Sequence, residues 1–224
     1  MINAFRFQLH TETFAGIDYH KKIPELMQER GHHQIFMIID EGVSRIEPVT
    51  SLIELLKQQD RLAGVKLTRG TKEPDYDYLD AVVEELRACS MDAIVAIGGG
   101  SALDLSKAVA VLLTNPGKGI DYRGFDKVQQ PGIPLMAVPT TAGTGSEITI
   151  NAVFTDTKEQ RKLGINGRYL NATYALLDPI FTVSAPKSVA ISSGMDALVH
   201  TLESFVGTNA NRLTRSFARE ASDT

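Results

Sequence analysis

The chain has 224 residues, of which 43% are hydrophobic and 22% charged, and its formal net charge is -4 at pH 7. This charge gives no electrostatic reason to expect nucleic acid or a membrane as a partner, and no apolar run approaches the ~20 residues that span a bilayer. The N-terminus lacks the basic start and apolar core of a signal peptide. A single cysteine excludes an internal disulfide. Together these features predict a globular protein of the reducing cytoplasm.

The apolar residues predict strands that alternate with helices up to about residue 178. Strands are expected at 5–9, 35–39, 65–68, 93–97, 133–138 and 174–177, with a hairpin formed by 152–154 and 162–165. Helices are expected at 19–30, 48–59, 75–88 and 101–113, and then at 187–192, at 195–206 and from 211 onward. The fold class is therefore α/β, with a parallel sheet domain at 1–185 followed by the first helices of an incomplete helical domain at 186–224.

Three consecutive glycines, Gly98, Gly99 and Gly100, separate the fourth predicted strand from its helix. Ser101 and Asp104 have the spacing of an N-cap and an acidic N3 residue, so the helix is expected to begin at Ser101. Glycines beside a helix N-terminus let an anion approach free backbone N–H groups. The turn fits neither G-x-G-x-x-G nor a P-loop. It predicts a phosphate-binding site, and the alternative is an ordinary strand–helix turn.

A second loop of small polar residues follows the strand predicted at 133–138. It supplies four hydroxyl groups, from Thr140, Thr141, Thr144 and Ser146. Ligands of open α/β sheets bind at the carboxyl ends of the strands. A loop that offers hydrogen bonds without charge suits the ribose or carboxamide of a nucleotide, and the alternative is a plain surface loop.

Asp40 ends the strand predicted at 35–39. A carboxylate at this place can accept hydrogen bonds from both hydroxyls of an adenosine ribose, and it would repel a 2′-phosphate. It therefore favours NAD over NADP. Its position is equally typical of a residue that caps the following helix.

Asp196 and His200 are four residues apart in a helical pattern. This spacing puts the carboxylate and the imidazole on one helix face, within reach of one divalent cation. A catalytic metal normally takes about three protein ligands, and the remaining histidines show no ligand-like spacing. An exposed Asp–His pair is the alternative interpretation.

The order of these motifs resembles the iron-containing (group III) alcohol dehydrogenase family. The resemblance rests on Gly-Gly-Gly-Ser-Ala-Leu-Asp at 98–104, Pro-Thr-Thr-Ala-Gly-Thr-Gly-Ser-Glu at 139–147, Asp-Pro at 178–179 and Gly-Met-Asp-Ala-Leu-Val-His at 194–200. It implies a Rossmann-like sheet domain followed by an all-helical domain, the dehydroquinate synthase-like architecture, with the active site between them.

The resemblance also implies roles for individual residues. Ten would bind or line the site of NAD, with the glycine turn at the pyrophosphate, Lys162 near the ribose and the threonines on the nucleotide: Asp40, Gly98, Gly99, Gly100, Ser101, Asp104, Thr140, Thr141, Thr144 and Lys162. Asp196 and His200 would be the first two ligands of a divalent metal, Fe²⁺ in most of the family and Zn²⁺ in some members. Hydride would pass between NAD and a primary alcohol, a diol or an aldehyde.

Two features depart from the family pattern. Glu73-Pro74 stands where Asn-Pro is common beside the cofactor, and the family's chain continues past residue 224 to two further histidine ligands. The chain is therefore expected to be a truncated enzyme. Alternatives are a glycerol dehydrogenase or a dehydroquinate synthase-like enzyme, and a catalytically inactive nucleotide-binding fragment. The family often dimerises, and the alternating strand at 5–9 could pair with the edge of a second copy in a homodimer.

Overall fold

The computed structural model describes residue 4 and residues 7–69 and 73–223. Within these ranges the strands are β1 (Glu12–Ala15), β2 (Ile35–Asp40), β3 (Leu62–Thr68), β4 (Ala93–Gly98), β5 (Gly124–Phe125), β6 (Leu135–Pro139), β7 (Asn151–Asp156), β8 (Arg161–Asn166) and β9 (Tyr174–Leu177). The α-helices are α1 (Ile23–Glu29), α2 (Glu47–Gln58), α3 (Tyr76–Arg87), α4 (Gly100–Leu112), α5 (Ile180–Val183), α6 (Lys187–Val206) and α7 (Arg212–Ser222). None of the described helices is long and apolar enough to cross a membrane.

The main sheet has six strands in the order β1-β9-β6-β4-β2-β3, and every neighbouring pair is parallel. Its central strands are uninterrupted apolar runs because both of their faces are covered. On β2, Met37 and Ile39 face the layer of α1 and α2, whereas Phe36 and Ile38 face the layer of α3 and α4. The predicted parallel α/β sheet is confirmed.

The adjacent strands β2 and β4 are followed by helices on opposite faces of the sheet. Helix α2 packs in the core of one face and α4 in the core of the other. The chain segments that leave the two strands therefore diverge and open a crevice at their carboxyl ends, the usual ligand site of an open parallel sheet. Asp40 and Gly98 are the last residues of these two strands.

A smaller sheet of order β5-β8-β7 lies beside α4. Strands β7 and β8 are antiparallel and pair from Asn151 with Asn166 to Asp156 with Arg161. The predicted hairpin is confirmed, and it is longer by a residue or more at each strand end.

The strand expected at 5–9 is wrong where it can be compared. Phe5 and Arg6 lie outside the described residues, and 7–9 form no strand. The first strand is β1, which pairs with the edge of β9. Phe7 is 50% exposed and Leu9 is 60% exposed, so the alternation of these residues does not reflect a buried face.

Two helix boundaries also differ from expectation. Helix α4 begins at Gly100 rather than Ser101, and its N-cap is Gly99. Helix α6 runs without a break through residues 193 and 194, where two helices were expected, because an α-helix tolerates a glycine such as Gly194 at a modest cost. The division into 1–185 and 186–224 stays a prediction.

Candidate active site

The glycine turn lies in the crevice between β2 and β4. A Cβ added to Gly98 would come within 2.6 Å of the Cβ of Ala102 and 2.9 Å of the Cβ of Asp40. Real Cβ atoms do not approach so closely, so only glycine fits here without a shift of the neighbouring backbone. Because Gly98 has no side chain, Asp40 can lie directly against the turn.

The N-terminus of α4 is open. Its N-cap, Gly99, has an extended backbone with φ -76° and ψ -178°, and no side chain caps the helix. The first N–H groups of an α-helix have no partner within the helix, and the helix dipole makes this end positive. Ser101 lies half-buried in the first turn instead of capping it. An uncapped N-terminus at a sheet crevice fits a phosphate group.

The loop that follows β6 lies directly on the glycine turn. The N–H of Thr140 donates to the carbonyl of Gly98 at 3.0 Å. A Cβ on Gly100 would meet the side chain of Thr144 at 2.8 Å, and one on Gly99 would lie 3.5 Å from Thr141. The three predicted threonines and the three glycines are therefore brought together. A side chain at Gly100 would collide with Thr144, so the close contact between the two loops is one reason why glycine is needed there.

The carboxylate of Asp40 has a local partner. Its Oδ1 accepts a hydrogen bond from the N–H of Gly42 at 2.8 Å and caps the short 3-10 turn Glu41–Val43. The capping role weighed from sequence is thus present. It engages one carboxylate oxygen of a partly exposed side chain, so a ribose contact at the same residue stays sterically open.

Asp104 faces the second loop and the hairpin rather than the end of its own helix. Its Oδ1 accepts from the hydroxyl of Ser146 at 2.5 Å, and its Oδ2 accepts from the N–H of Val153 at 2.9 Å. The ammonium of Lys107 lies 3.0 Å from the same Oδ1. Lys107 is fully buried, and its burial lowers its pKa against the opposing effect of Asp104. Sequence reasoning missed this lysine.

Lys162 forms an ion pair with Glu73. The distance from Nζ to Oε1 is 2.5 Å, and the two side chains are 62% and 46% exposed. Next to Glu73, the carbonyl of Pro74 accepts from the N–H of Thr155 at 3.0 Å. Pro74 and Ser101 line the same shallow depression, so the segment at 73–74 borders the glycine turn and joins it to the hairpin.

Helix α6 rests on the second loop. A Cβ on Gly143 would lie 2.7 Å from the carbonyl oxygen of Ser193 and 3.0 Å from its Cα. One turn further along α6 is Asp196, whose Oδ1 lies 3.4 Å from Nε2 of His200. The two side chains are 40% and 57% exposed. Because α6 contacts the second loop at Gly143, the predicted metal ligands lie on the helix that borders this loop.

Carboxylate and imidazole are donor types that a divalent transition metal accepts. The two groups fit part of such a site, because they are close together and open to solvent. Among the described residues, however, no group of three or more His, Cys, Asp or Glu side chains could hold a metal ion.

The apolar residues of helix α6 are also uncovered. Their side chains are between 37% and 73% exposed: Val189, Ile191, Met195, Leu198, Val199, Leu202, Phe205 and Val206.

A family model described as iron-containing alcohol dehydrogenase matches residues 10–179. The chain belongs to the iron-containing alcohol dehydrogenase family. The match covers the crevice, the glycine turn, the second loop at 140–146 (the threonine loop) and the hairpin, which are the parts that pack together here. The fold class and the family expected from the motifs are both confirmed.

Two relatives show how far the sequence similarity extends. The chain is 36% identical over 189 residues to a sulfoacetaldehyde reductase from Bilophila wadsworthia, covering 83% of this chain and 48% of that protein. It is 35% identical over 175 residues to an NAD-dependent methanol dehydrogenase from Bacillus methanolicus, covering 77% of this chain and 46% of the other. The chain spans about half the length of these iron-containing alcohol dehydrogenase relatives.

One similar solved structure is a sulfoacetaldehyde reductase from Bifidobacterium kashiwanohense in complex with NAD⁺. It superposes with a TM-score of 0.83 at 27% identity and covers 98% of this chain and 65% of its own. The sheet and the helices that follow it are therefore arranged here as in a family member that binds NAD⁺.

Proposed function

We propose that this chain supplies the nucleotide site and two metal ligands of an NAD-dependent alcohol dehydrogenase, which transfers hydride between NAD and a primary alcohol, a diol or the corresponding aldehyde. The observation that carries the proposal is the uncapped N-terminus of α4 at the crevice between β2 and β4. Asp40 and the threonine loop contact the same turn. Protein groups that can bind a phosphate, a ribose and an amide are thus combined at one place, as a dinucleotide requires.

Each group has a distinct task in this proposal. Backbone N–H groups of Gly99, Gly100 and Ser101 bind the pyrophosphate at the positive helix end. Asp40 accepts hydrogen bonds from the adenosine ribose and disfavours a 2′-phosphate. Hydroxyls of Thr140, Thr141 and Thr144 bind the nicotinamide half, and Lys162 lies at the ribose. Asp104 supports the loop from beneath.

Asp196 and His200 would hold a divalent cation, Fe²⁺ as the family description suggests, and Zn²⁺ accepts the same donors. Such an ion, when bound, polarises the substrate oxygen as a Lewis acid. The chain's part is to hold the ion beside the nucleotide loop through the contact of α6 with Gly143, so that substrate carbon and nicotinamide meet at reacting distance. Two ligands are fewer than the usual three, so turnover needs further donors.

The names of the relatives support a small alcohol or aldehyde as substrate, because one is a methanol dehydrogenase and the other a sulfoacetaldehyde reductase. They favour this class over glycerol dehydrogenase or dehydroquinate synthase-like chemistry. For the 224 residues on their own, we propose nucleotide binding without catalysis. A homodimer, a cytoplasmic location and the absence of nucleic-acid or membrane partners stay predictions.

The nucleotide site can be tested by titrating the purified 224-residue chain with NADH and NADPH. We expect NADH to bind more tightly, and Asp40→Gly to reduce the preference about tenfold, which corresponds to ~1.4 kcal/mol. Asp60→Gly is the matched control, because Asp60 precedes β3 at the opposite end of the sheet. A folded wild-type chain that binds no NADH would refute the proposal. Unchanged discrimination in the Asp40 variant would leave this residue as a cap only.

The metal half of the proposal has its own test. With Fe²⁺ or Zn²⁺ under anaerobic conditions, we expect the chain to form no NADH from NAD⁺ and short primary alcohols or diols. Metal binding itself, followed by calorimetry, should be weak and should disappear in His200→Ala. Sustained NADH formation that His200→Ala abolishes would show that two ligands from this chain suffice.

A further inference from the structure

Lys107 is the largest fully buried charged side chain among the described residues, and the proposed reaction gives it no task. We propose that Lys107, together with Asp104, is a positioning residue that fixes the threonine loop (Thr140–Ser146) over the glycine turn and so presets the nucleotide site. This inference rests on the proposed function, because it concerns the affinity of that site.

The ammonium of Lys107 is surrounded by oxygens from one short segment of chain. Its Nζ donates to the carbonyl of Ser146 at 2.9 Å, to the hydroxyl of Thr149 at 3.1 Å and to the carbonyl of Asn151 at 2.5 Å. Ser146 is the last residue of the threonine loop, and Thr149 and Asn151 follow it within five residues. One side chain of α4 therefore holds the end of the loop at three points.

Asp104 holds the same segment from the neighbouring turn of α4. It accepts from the hydroxyl of Ser146 and from the N–H of Val153, and it lies beside the ammonium of Lys107. The spacing of three residues puts both side chains on one helix face. The pair is thus charge-balanced, which a buried ammonium requires.

The contacts continue from this pair to the nucleotide site. The N–H of Ser146 donates to the hydroxyl of Thr144 at 3.2 Å, and the side chain of Thr144 lies against Gly100 in the first turn of α4. Helix α4 therefore contributes both the open N-terminus and the clamp that sets the distance from that N-terminus to the threonines. A loop fixed in this way pays less ordering entropy when a ligand binds.

The segment that is clamped also needs donors of its own. The carbonyl of Ser146 belongs to a 3-10 turn, Ser146–Ile148, and Asn151 begins the hairpin. A buried carbonyl without a donor is costly. Lys107 donates to both carbonyls, and the other donors to the carbonyl of Ser146, the N–H and the hydroxyl of Thr149, lie further away at 3.4 and 3.3 Å. We therefore expect the loss of Lys107 to loosen the loop.

The test compares Lys107→Met with Val109→Ala, a buried substitution on the same helix that removes only apolar contacts. NADH affinity and hydrogen exchange of the amides at 140–151 are measured below the melting temperature of each variant. We expect Lys107→Met to weaken NADH binding about tenfold, as if the loop adopted its binding arrangement about a tenth of the time. Exchange at 140–151 should accelerate. Val109→Ala should lower stability and leave both readouts near wild type.

A milder variant keeps the test useful if Lys107→Met does not fold. Thr149→Val removes one of the three oxygens at Lys107 and preserves shape. Thr182→Val is its control, because that hydroxyl donates to the carbonyl of Pro179 and not to the loop. We expect a smaller change in the same direction for Thr149→Val alone. Exchange at 140–151 that is equal in Lys107→Met or Thr149→Val and its control would overturn the inference. A wild-type chain that binds no NADH would instead overturn the proposed function, since the exchange comparison needs no ligand.

Discussion

The sheet part of the molecule and the helix that follows it each contain an Asp–His pair, in opposite environments. Oδ2 of Asp178 lies 2.7 Å from Nδ1 of His20, and both side chains are almost completely buried. Oδ1 of Asp196 lies 3.4 Å from Nε2 of His200, and these side chains are 40% and 57% exposed. The same two residue types therefore have different tasks in the two regions.

The carboxylate of the buried pair is fully engaged by the fold. Asp178 accepts from the N–H groups of Asp18, His20 and Ile180 as well as from the His20 ring. It thereby ties the 3-10 turn at Tyr19–Lys22 to the end of β9. The exposed pair makes one long contact along α6, and exposed pairs of this kind contribute little to stability. Its carboxylate and imidazole remain accessible to a ligand, so burial separates the structural pair from the pair that we propose binds a metal.

The largest expected difference is in the stability of two variants, each of which lacks the aspartate of one pair. Asp178→Ala leaves several buried donors without an acceptor, and we expect it to lower the free energy of unfolding by about 3 kcal/mol. Asp196→Ala should change it by less than about 0.5 kcal/mol. Urea denaturation followed by circular dichroism measures both. Equal losses would mean that α6 is held to the sheet by Asp196 rather than being free to bind a metal.

The second-largest expected difference is in the stability effect of replacing a glycine by alanine in each region. Gly98→Ala forces a Cβ against Asp40 and Ala102, and overpacking of this kind costs about 1–3 kcal/mol. An added Cβ at Gly194, in the middle of α6, meets nothing within 4 Å, so Gly194→Ala should stabilise the chain by up to about 1 kcal/mol. Opposite signs in thermal melts support the close contact at the turn. A tolerated Gly98→Ala with unchanged NADH affinity would contradict it.

The buried pair also predicts a pH dependence. Burial raises the pKa of Asp178, but hydrogen bonds from the side chain and N–H of His20 and from Ile180 outweigh it and hold the pKa below its ordinary value. A carboxyl whose pKa is lowered by folding stabilises the protein above about pH 4 and loses that contribution as the pH falls through the lowered pKa. Wild type should therefore lose more stability than Asp178→Asn below about pH 4. Urea midpoints at pH 7, 5, 4 and 3 give the two profiles, and parallel profiles would exclude this role.

Much of the sheet and half of the site could be predicted from sequence because their signals are local. Uninterrupted apolar runs marked β2, β4 and β9 to within one residue. In a parallel sheet the carboxyl ends of the strands share one edge, so residues that end neighbouring strands meet without further information. For this reason the sequence alone predicts Asp40, the glycine turn and the threonine loop at one ligand site.

Contacts between distant segments could not be predicted in the same way. Lys107 reads as an ordinary helical lysine, because the oxygens around it come from residues 39 to 44 positions later. The approach of Ser193 to Gly143 has no local pattern either. The cap assigned to Ser101 failed because Gly99 starts the helix earlier, and the carboxylate of Asp104 is committed to Ser146 and Val153. One signal was available for Lys107, namely its apolar and small neighbours on both sides of the helix.

The smallest effect tests whether exposure, rather than the region, decides the role of a pair. Lys162 and Glu73 belong to the sheet part and yet are exposed, so Glu73→Asn should change stability by less than about 1 kcal/mol. It removes a negative charge that competes for Lys162 at the proposed nucleotide site. We therefore expect NADH to bind about two- to threefold more tightly, which corresponds to ~0.5 kcal/mol, and the gain to shrink in high salt.

Glu85→Asn is the matched control for this change, because Glu85 also pairs with a lysine, Lys66, on the sheet part of the molecule. It should leave NADH affinity unchanged in the same NADH titration. Weaker binding in Glu73→Asn would reverse the interpretation, since Glu73 would then hold Lys162 in its binding position instead of competing for it. The exposed pair at this rim would in that case behave like the buried Asp178–His20 pair, and burial would no longer be what separates structure from binding in this chain.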